Sequence, residues 1–237
     1  MQSASLPKVI SSVLALLVVL AMLAGAAEPG FSSSVSKGLI DHYASRFGQD
    51  AARRLGEWGE LPRQVKTASS AAGGAVQALA AGDANALDRV NAFFNRLPFV
   101  SDQKHWSNED YWATPAEMLS SNGGDCEDFS IAKYFMLKEL GVPVSRMRMV
   151  YVKSLKLNQA HMVLAYYTAP QAEPLILDNL EARIRPASQR PDLVPVYSFN
   201  DEDVRAAASS FAASLGGPSQ LRQWRSLRQR LQQELTL

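Results

Sequence analysis

Apolar positions change their period along the chain, dividing it into an apolar leader, a helical stretch, a strand-rich stretch and a closing helix. Val9 to Leu23 run continuously apolar behind Lys8, and the small residues Ala24 to Ala27 follow. A basic start, a short apolar core and an A-x-A-like site predict an export signal over residues 1–27. The run is shorter than the ~20 residues that span a bilayer, so an uncleaved anchor is the alternative only if Ala24 to Ala27 extend it. From Ser36 to Pro98 the spacing predicts helices. Leu39, Ile40, Tyr43 and Phe47 share one face, and Leu87, Val90, Phe93, Phe94 and Leu97 share another. Val65 to Ala81 is rich in alanine, with breaks or caps at Gly73-Gly74 and Gly82-Asp83.

A further helix follows from Phe129, Ala132, Tyr134, Phe135, Met136 and Leu140. After Arg146 the period shortens to two. Met147, Met149 and Tyr151 alternate with Arg148, Val150 and Val152; His161 to Tyr167 and Pro174 to Asp178 are two more short apolar runs. These predict consecutive strands, joined by turns at Lys153 to Gln159 and Thr168 to Glu173. Beyond Gly216-Gly217-Pro218, Leu221, Trp224, Leu227, Leu231 and Leu235 take helical spacing among Arg222, Arg225, Arg228 and Arg230. This amphipathic basic helix over residues 216–237 has two readings: packing on the domain, or contact with an anionic membrane surface or a partner protein.

Composition excludes several classes. With 237 residues, 47% hydrophobic and 20% charged, the chain is neither disordered nor fibrous. Its 24 Lys and Arg against 23 Asp and Glu give a net charge of +1, so no global field recruits nucleic acid.

One cysteine, Cys126, is present, so no internal disulfide can form. In an oxidising exported compartment, where most cysteines pair, a lone thiol calls for a functional explanation. Cys126 lies in Gly-Gly-Asp-Cys-Glu-Asp (Gly123 to Asp128), immediately ahead of the helix carrying Phe129. Unpaired backbone N–H groups and the helix dipole favour a thiolate there, whereas a structural cysteine would sit in apolar surroundings rather than among acids. If the strands pair antiparallel, His161 opens one and Asp178 closes the next, at the same end of neighbouring strands. Cys126, His161 and Asp178 can then act as nucleophile, proton carrier and orienting acid. Taken singly, His161 reads as an ordinary partly buried histidine and Asp178 as a turn acid before Asn179, and it is the three together that carry the signal. His42 and His105 lack a comparable context.

Five blocks together carry a resemblance: Asp110 to Glu117, Gly124 to Phe129, Ala160 to Tyr167, Leu177 to Leu180 and Val196 to Asn200. In order and spacing they resemble the bacterial transglutaminase-like cysteine proteinases, and within these the LapG-type periplasmic adhesin proteases, from about Asp41 to Asn200. The resemblance implies an α+β, papain-like or transglutaminase-like cysteine protease fold. Residues 28–98 would form a mainly helical lobe of the domain over 28–215, and residues 99–215 its catalytic core with an antiparallel sheet after the nucleophile helix. It assigns Cys126, His161 and Asp178 the triad roles already reached from their chemistry.

The resemblance further implies Ca²⁺ dependence, with Asp125 and Glu127 as metal ligands. Carboxylates beside a nucleophilic thiolate repel it unless a cation compensates. On residue type alone Asp125, Glu127 and Asp128 also read as helix-capping and first-turn acids, and the remaining oxygens of a 6–8-coordinate Ca²⁺ would come from elsewhere. The implied substrate is a large surface adhesin, cut near its N-terminus at an Ala-Ala type site to release cells from biofilm. An inner-membrane cyclic di-GMP receptor is expected to sequester the protease in the periplasm. A transglutaminase-type acyltransferase would use the same triad, and a noncatalytic calcium-dependent binding module the same fold. The second oxyanion donor is open between an upstream group such as Trp106 or Trp112 and a packing role for those rings.

Overall fold

In the computed structural model, residues 35–70, 75–206 and 214–237 are described, and the predicted signal over 1–27 and the Gly73-Gly74 break lie outside them. The helical stretch resolves into α1 (Lys37–Phe47), α2 (Gln49–Ser70) and α3 (Ala75–Phe94). Ser36 starts α1 by accepting the Leu39 N–H on its hydroxyl at 2.9 Å, satisfying one of the unpaired donors at the helix start. Leu39 and Tyr43 are buried, as their spacing required, and so are Leu55, Trp58 and Leu61 of α2 and Leu87, Val90 and Phe94 of α3.

Two short helices, α4 (Asp102–Trp106) and α5 (Pro115–Ser121), lead to α6 (Cys126–Glu139). The Thr-Pro-Ala-Glu run at the start of α5 forms a capping box. Thr114 Oγ1 accepts the Glu117 N–H at 3.0 Å, while Glu117 Oε2 accepts the Thr114 N–H at 2.8 Å. Phe129, Ile131, Tyr134, Phe135, Met136 and Leu137 bury α6 on more than one side.

The described strands form one sheet: β1 (Met147–Ser154), β2 (Gln159–Tyr166), β3 (Leu175–Leu177), β4 (Arg185–Pro186), β5 (Leu193–Phe199), β6 (Val204–Ala206) and β7 (Ser214–Gly216). Its order is β4-β3-β2-β1-β5-β6-β7, and every pairing is antiparallel. The first three strands match the predicted runs closely. Pairing of β1 with β5 on its far side depends on contacts distant in sequence, including Tyr151 stacked on Tyr197 at 5.1 Å between ring centroids. Val150, Val152, Val163, Ala165, Tyr167 and Ile176 make a hydrophobic cluster on which Ala187 and Leu193 pack.

The closing helix, α7 (Arg222–Glu234), packs on the domain. Trp224 stacks on Phe135 at 5.7 Å and meets Phe199 edge-on, and Leu227 and Leu231 are also buried. The buried Glu234 carboxylate accepts hydrogen bonds from Tyr43 of α1, at 2.6 Å, and from Thr114. The apolar face of α7 is therefore covered by protein, and the arginines around it are drawn into the same molecule: Arg225 donates to the Ser219 carbonyl at 3.1 Å and Arg228 lies 3.7 Å from Asp201. Arg230 is itself engaged, by Glu117 at 3.2 Å and by the Trp112 carbonyl. Among the described residues no helix is long and apolar enough to cross a membrane.

Candidate active site

The two glycines before Cys126 are fixed by space and dihedral angle. Gly123 has φ of +149°, and a Cβ there would lie 2.8 Å from the Pro98 carbonyl oxygen. A Cβ on Gly124 would lie 2.5 Å from Asp128 Oδ2. That close approach lets Asp128 brace the site, because its Oδ2 accepts the Asp125 N–H at 3.2 Å and its Oδ1 the Ala113 N–H at 2.7 Å. Asp128 is 1% exposed and so ties the Asp110 to Glu117 segment to the start of α6, which gives it a structural task.

Cys126 is the first residue of α6. Ser130, one turn later, joins that helix to β2: its hydroxyl is 2.9 Å from the Cys126 carbonyl and 3.1 Å from that of Met162. Through this bridge the start of α6 is held beside the strand position next to His161. His161 is 3% exposed, and its Nε2 is 2.9 Å from Asp178 Oδ1. The β2–β3 register explains this pair. Leu164 faces Leu177, so the following Asp178 falls opposite Val163, diagonal to His161 on the same side of the sheet.

The Asp178 carboxylate is fully buried and multiply bound. Oδ1 also accepts the Leu180 N–H at 3.0 Å, Oδ2 accepts from Arg190 Nη2 at 2.8 Å, and the Asp178 carbonyl accepts from Asn95 at 2.8 Å. Burial by itself pushes the Asp178 pKa up, but the bonds from His161, Leu180 and Arg190 outweigh it and hold it at about 2. Because the carboxylate is ionised, His161 Nε2 carries the hydrogen, and Nδ1 is left as the nitrogen able to take a proton.

The thiol side differs. Cys126 Sγ donates to Glu127 Oε2 at 3.0 Å, and burial together with the neighbouring Glu127 and Asp125 raises its pKa. Asp125, Cys126 and Glu127 place ligand atoms within 4.8 Å of one another, and so do Asp102, Asp110 and Glu127. Burial raises Asp102 to about 7, and burial with Glu127 beside it raises Asp125. Asp102 Oδ1 and Asp125 Oδ1 are buried without a hydrogen-bond partner. Unpartnered buried carboxylate oxygens among like charges fit a hard divalent cation, because such an ion supplies both the missing partner and the neutralising charge. Asp102 and Asp110 were not among the candidates read from the sequence. Asp110 opens one of the five resembling blocks, but Asp102 follows Ser101 and reads there only as a first-turn helix acid.

Of the two tryptophans considered as oxyanion donors, Trp112 donates its Nε1–H to Asp110 at 2.9 Å and stacks on Phe199, which makes it a packing residue. Trp106 Nε1 is buried without a hydrogen-bond partner, and its ring stacks on His105 and lies against Tyr111.

Residues 63–199 match the family of bacterial transglutaminase-like cysteine proteinases, BTLCP. The chain belongs to that family. Solved structures agree across nearly the whole fold. Legionella pneumophila LapG is 39% identical over 86% of this chain and 98% of its own, with a TM-score of 0.67. An EGTA-treated form of LapG gives 39% identity over 84% and 97%, with a TM-score of 0.68. Its calcium-bound form gives 40% over 81% and 97%, with a TM-score of 0.64. No curated protein matches the chain. As a LapG-type member of the family, the protein is a cysteine peptidase with the α+β, papain-like fold expected of it.

Proposed function

We propose that the protein is a calcium-dependent periplasmic cysteine endopeptidase with Cys126 as nucleophile, His161 as general base and acid, and Asp178 as the orienting acid. The carrying observation is the 2.9 Å contact of buried His161 Nε2 with ionised Asp178, on the strand that Ser130 ties to the Cys126 turn through the Met162 and Cys126 carbonyls. His161 takes the thiol proton, and the sulfur attacks the scissile carbonyl carbon. The resulting oxyanion faces backbone N–H groups at the start of α6. His161 then returns the proton to the departing amine, leaving an acyl-enzyme that water hydrolyses with His161 again as base.

Asp125 and Glu127, joined by Asp102 and Asp110, are the residues that would hold Ca²⁺. Its charge would neutralise the acids that oppose the thiolate. The unpartnered oxygens of Asp102 and Asp125 support this reading, as does the calcium-bound form of LapG. The substrate in this proposal is a large surface adhesin, cut near its N-terminus at an Ala-Ala type site to promote biofilm dispersal. Residues 1–27 would direct export, and an inner-membrane cyclic di-GMP receptor would restrain the protease.

The test is cleavage of an N-terminal adhesin fragment carrying an Ala-Ala site by wild type and Cys126→Ala, each with calcium and with chelator. Two discrete fragments, lost with the mutation and with the chelator, are expected. Intact substrate after incubation with folded, calcium-loaded wild type would overturn the substrate assignment.

A further inference from the structure

Arg190 stands outside the Cys126, His161 and Asp178 group, yet it is the described side chain that completes the Asp178 carboxylate. It follows a 3₁₀ turn (Ala187–Gln189) between β4 and β5, and its backbone is held by hydrogen bonds to Ala187 and from Leu193. The Arg190 side chain is 8% exposed. Nη2 donates to Asp178 Oδ2 at 2.8 Å and to Asp192 Oδ2 at 2.8 Å, and Nε donates to Asp192 Oδ1 at 2.9 Å. Asp192 thus grips the planar fork from one side and leaves an N–H aimed at the triad acid from the other.

We propose that Arg190 is a positioning residue for the peptidase reaction, fixing the Asp178 carboxylate so that an ionised Oδ1 faces His161 Nε2. The inference rests on the peptidase reading given above. Three hydrogen bonds fix the carboxylate plane: those from His161 and Leu180 to Oδ1 and that from Arg190 to Oδ2. Without Arg190, Oδ2 is a buried charged acceptor lacking its donor. The side chain can respond by rotating away from His161 or by taking up a proton. A protonated acid can donate to Nε2, which moves the imidazole hydrogen to Nδ1. In that tautomer the nitrogen that must accept the thiol proton is already occupied. The effect therefore falls on the chemical steps and spares substrate binding.

The experiment compares wild type, Arg190→Met and Arg190→Lys in steady-state cleavage of the adhesin fragment, with ¹⁵N-imidazole spectra of the same proteins, His161 being assigned with His161→Gln. In Arg190→Met, kcat is expected to fall about 10–100-fold, the usual scale for a lost orienting partner, with KM within about twofold of wild type. Arg190→Lys should recover part of that loss, since it keeps a cation without the fork. Spectra should report an Nε2–H tautomer for wild-type His161 and a mixture with Nδ1–H in Arg190→Met. A folded Arg190→Met with wild-type kcat and unchanged tautomer overturns the proposal, as does a loss confined to KM. Should Arg190→Met not fold, Arg190→Lys decides by the same two readouts. If wild type leaves the fragment intact, the substrate reading fails while the tautomer comparison still decides the role of Arg190.

Discussion

Asp178 and Asp125 are the same residue type at the two ends of one candidate site, and their surroundings drive them in opposite directions. Asp178 is fully buried, but His161, Leu180 and Arg190 occupy its oxygens and hold its pKa at about 2. Asp125 is pushed upward by burial and by Glu127, and one of its oxygens is buried without a partner. The contrast teaches that burial does not decide the charge of a carboxylate; the supply of donors around it does. The imidazole end is built complete from protein groups. The thiol end gathers Asp102, Asp110, Asp125 and Glu127 with carboxylate oxygens of Asp102 and Asp125 left unpartnered, which is the arrangement the proposed Ca²⁺ site would use.

The largest effect should come from removing the atom that both ends serve. Cys126→Ala is expected to lower peptidase activity by at least about 10³-fold with an unchanged circular dichroism spectrum. Activity within tenfold of wild type would place the nucleophile elsewhere. Asp178→Asn comes next, at roughly 10²–10⁴-fold in kcat, because an amide cannot hold the same imidazole tautomer. That variant should still bind calcium as wild type does, which isothermal titration would measure; a weakened ion site would mean that the two ends are not independent.

The opposite perturbation sharpens the comparison from the acidic end. Calcium at about a hundred times its Kd should raise wild-type unfolding free energy by about 2.7 kcal/mol, and Asp125→Asn or Asp102→Asn should lose most of that gain. Denaturant titrations with and without calcium would read it. Equal calcium stabilisation in wild type and both variants would remove these residues from the metal shell.

A separate prediction concerns Lys133, buried in α6 within electrostatic reach of Asp178, its Nζ lacking a hydrogen-bond partner. Burial lowers its pKa to about 7. Between about pH 7 and pH 10 the unfolded chain holds a proton there that the folded chain has released. Stability should therefore rise with pH across that window, by at most about 1.4 kcal/mol per pH unit, and the cost is fully present below the folded pKa. In Lys133→Met the contribution to this slope should vanish, which urea midpoints at pH 7 and pH 9 would detect. An unchanged slope would show that Lys133 stays charged when folded.

Much of this architecture was legible because it is local. Helical spacing around Leu39 and Tyr43, the period of two after Arg146, and the Gly-Gly-Asp-Cys-Glu-Asp run each depend on neighbours a few residues apart. Cys126, His161 and Asp178 emerged from the same logic, since a helix start and two strand ends are local features and short turns constrain adjacent antiparallel strands. Docking of α7 could not be read that way. An amphipathic helix has the same pattern on a domain as on a membrane, and only the rings of Phe135 and Phe199 meeting Trp224 distinguish them.

By itself the sequence determined the helix and strand periods, the lone thiol among acids, and the residue types able to carry acyl-transfer chemistry. Tertiary structure decided which acids meet. Asp102 and Asp110 arrive beside Glu127, and Arg190 beside Asp178, by chain crossings that no periodicity encodes. Electrostatics and hydrogen bonding act over a few ångströms of space, whereas sequence patterns report only separation along the chain.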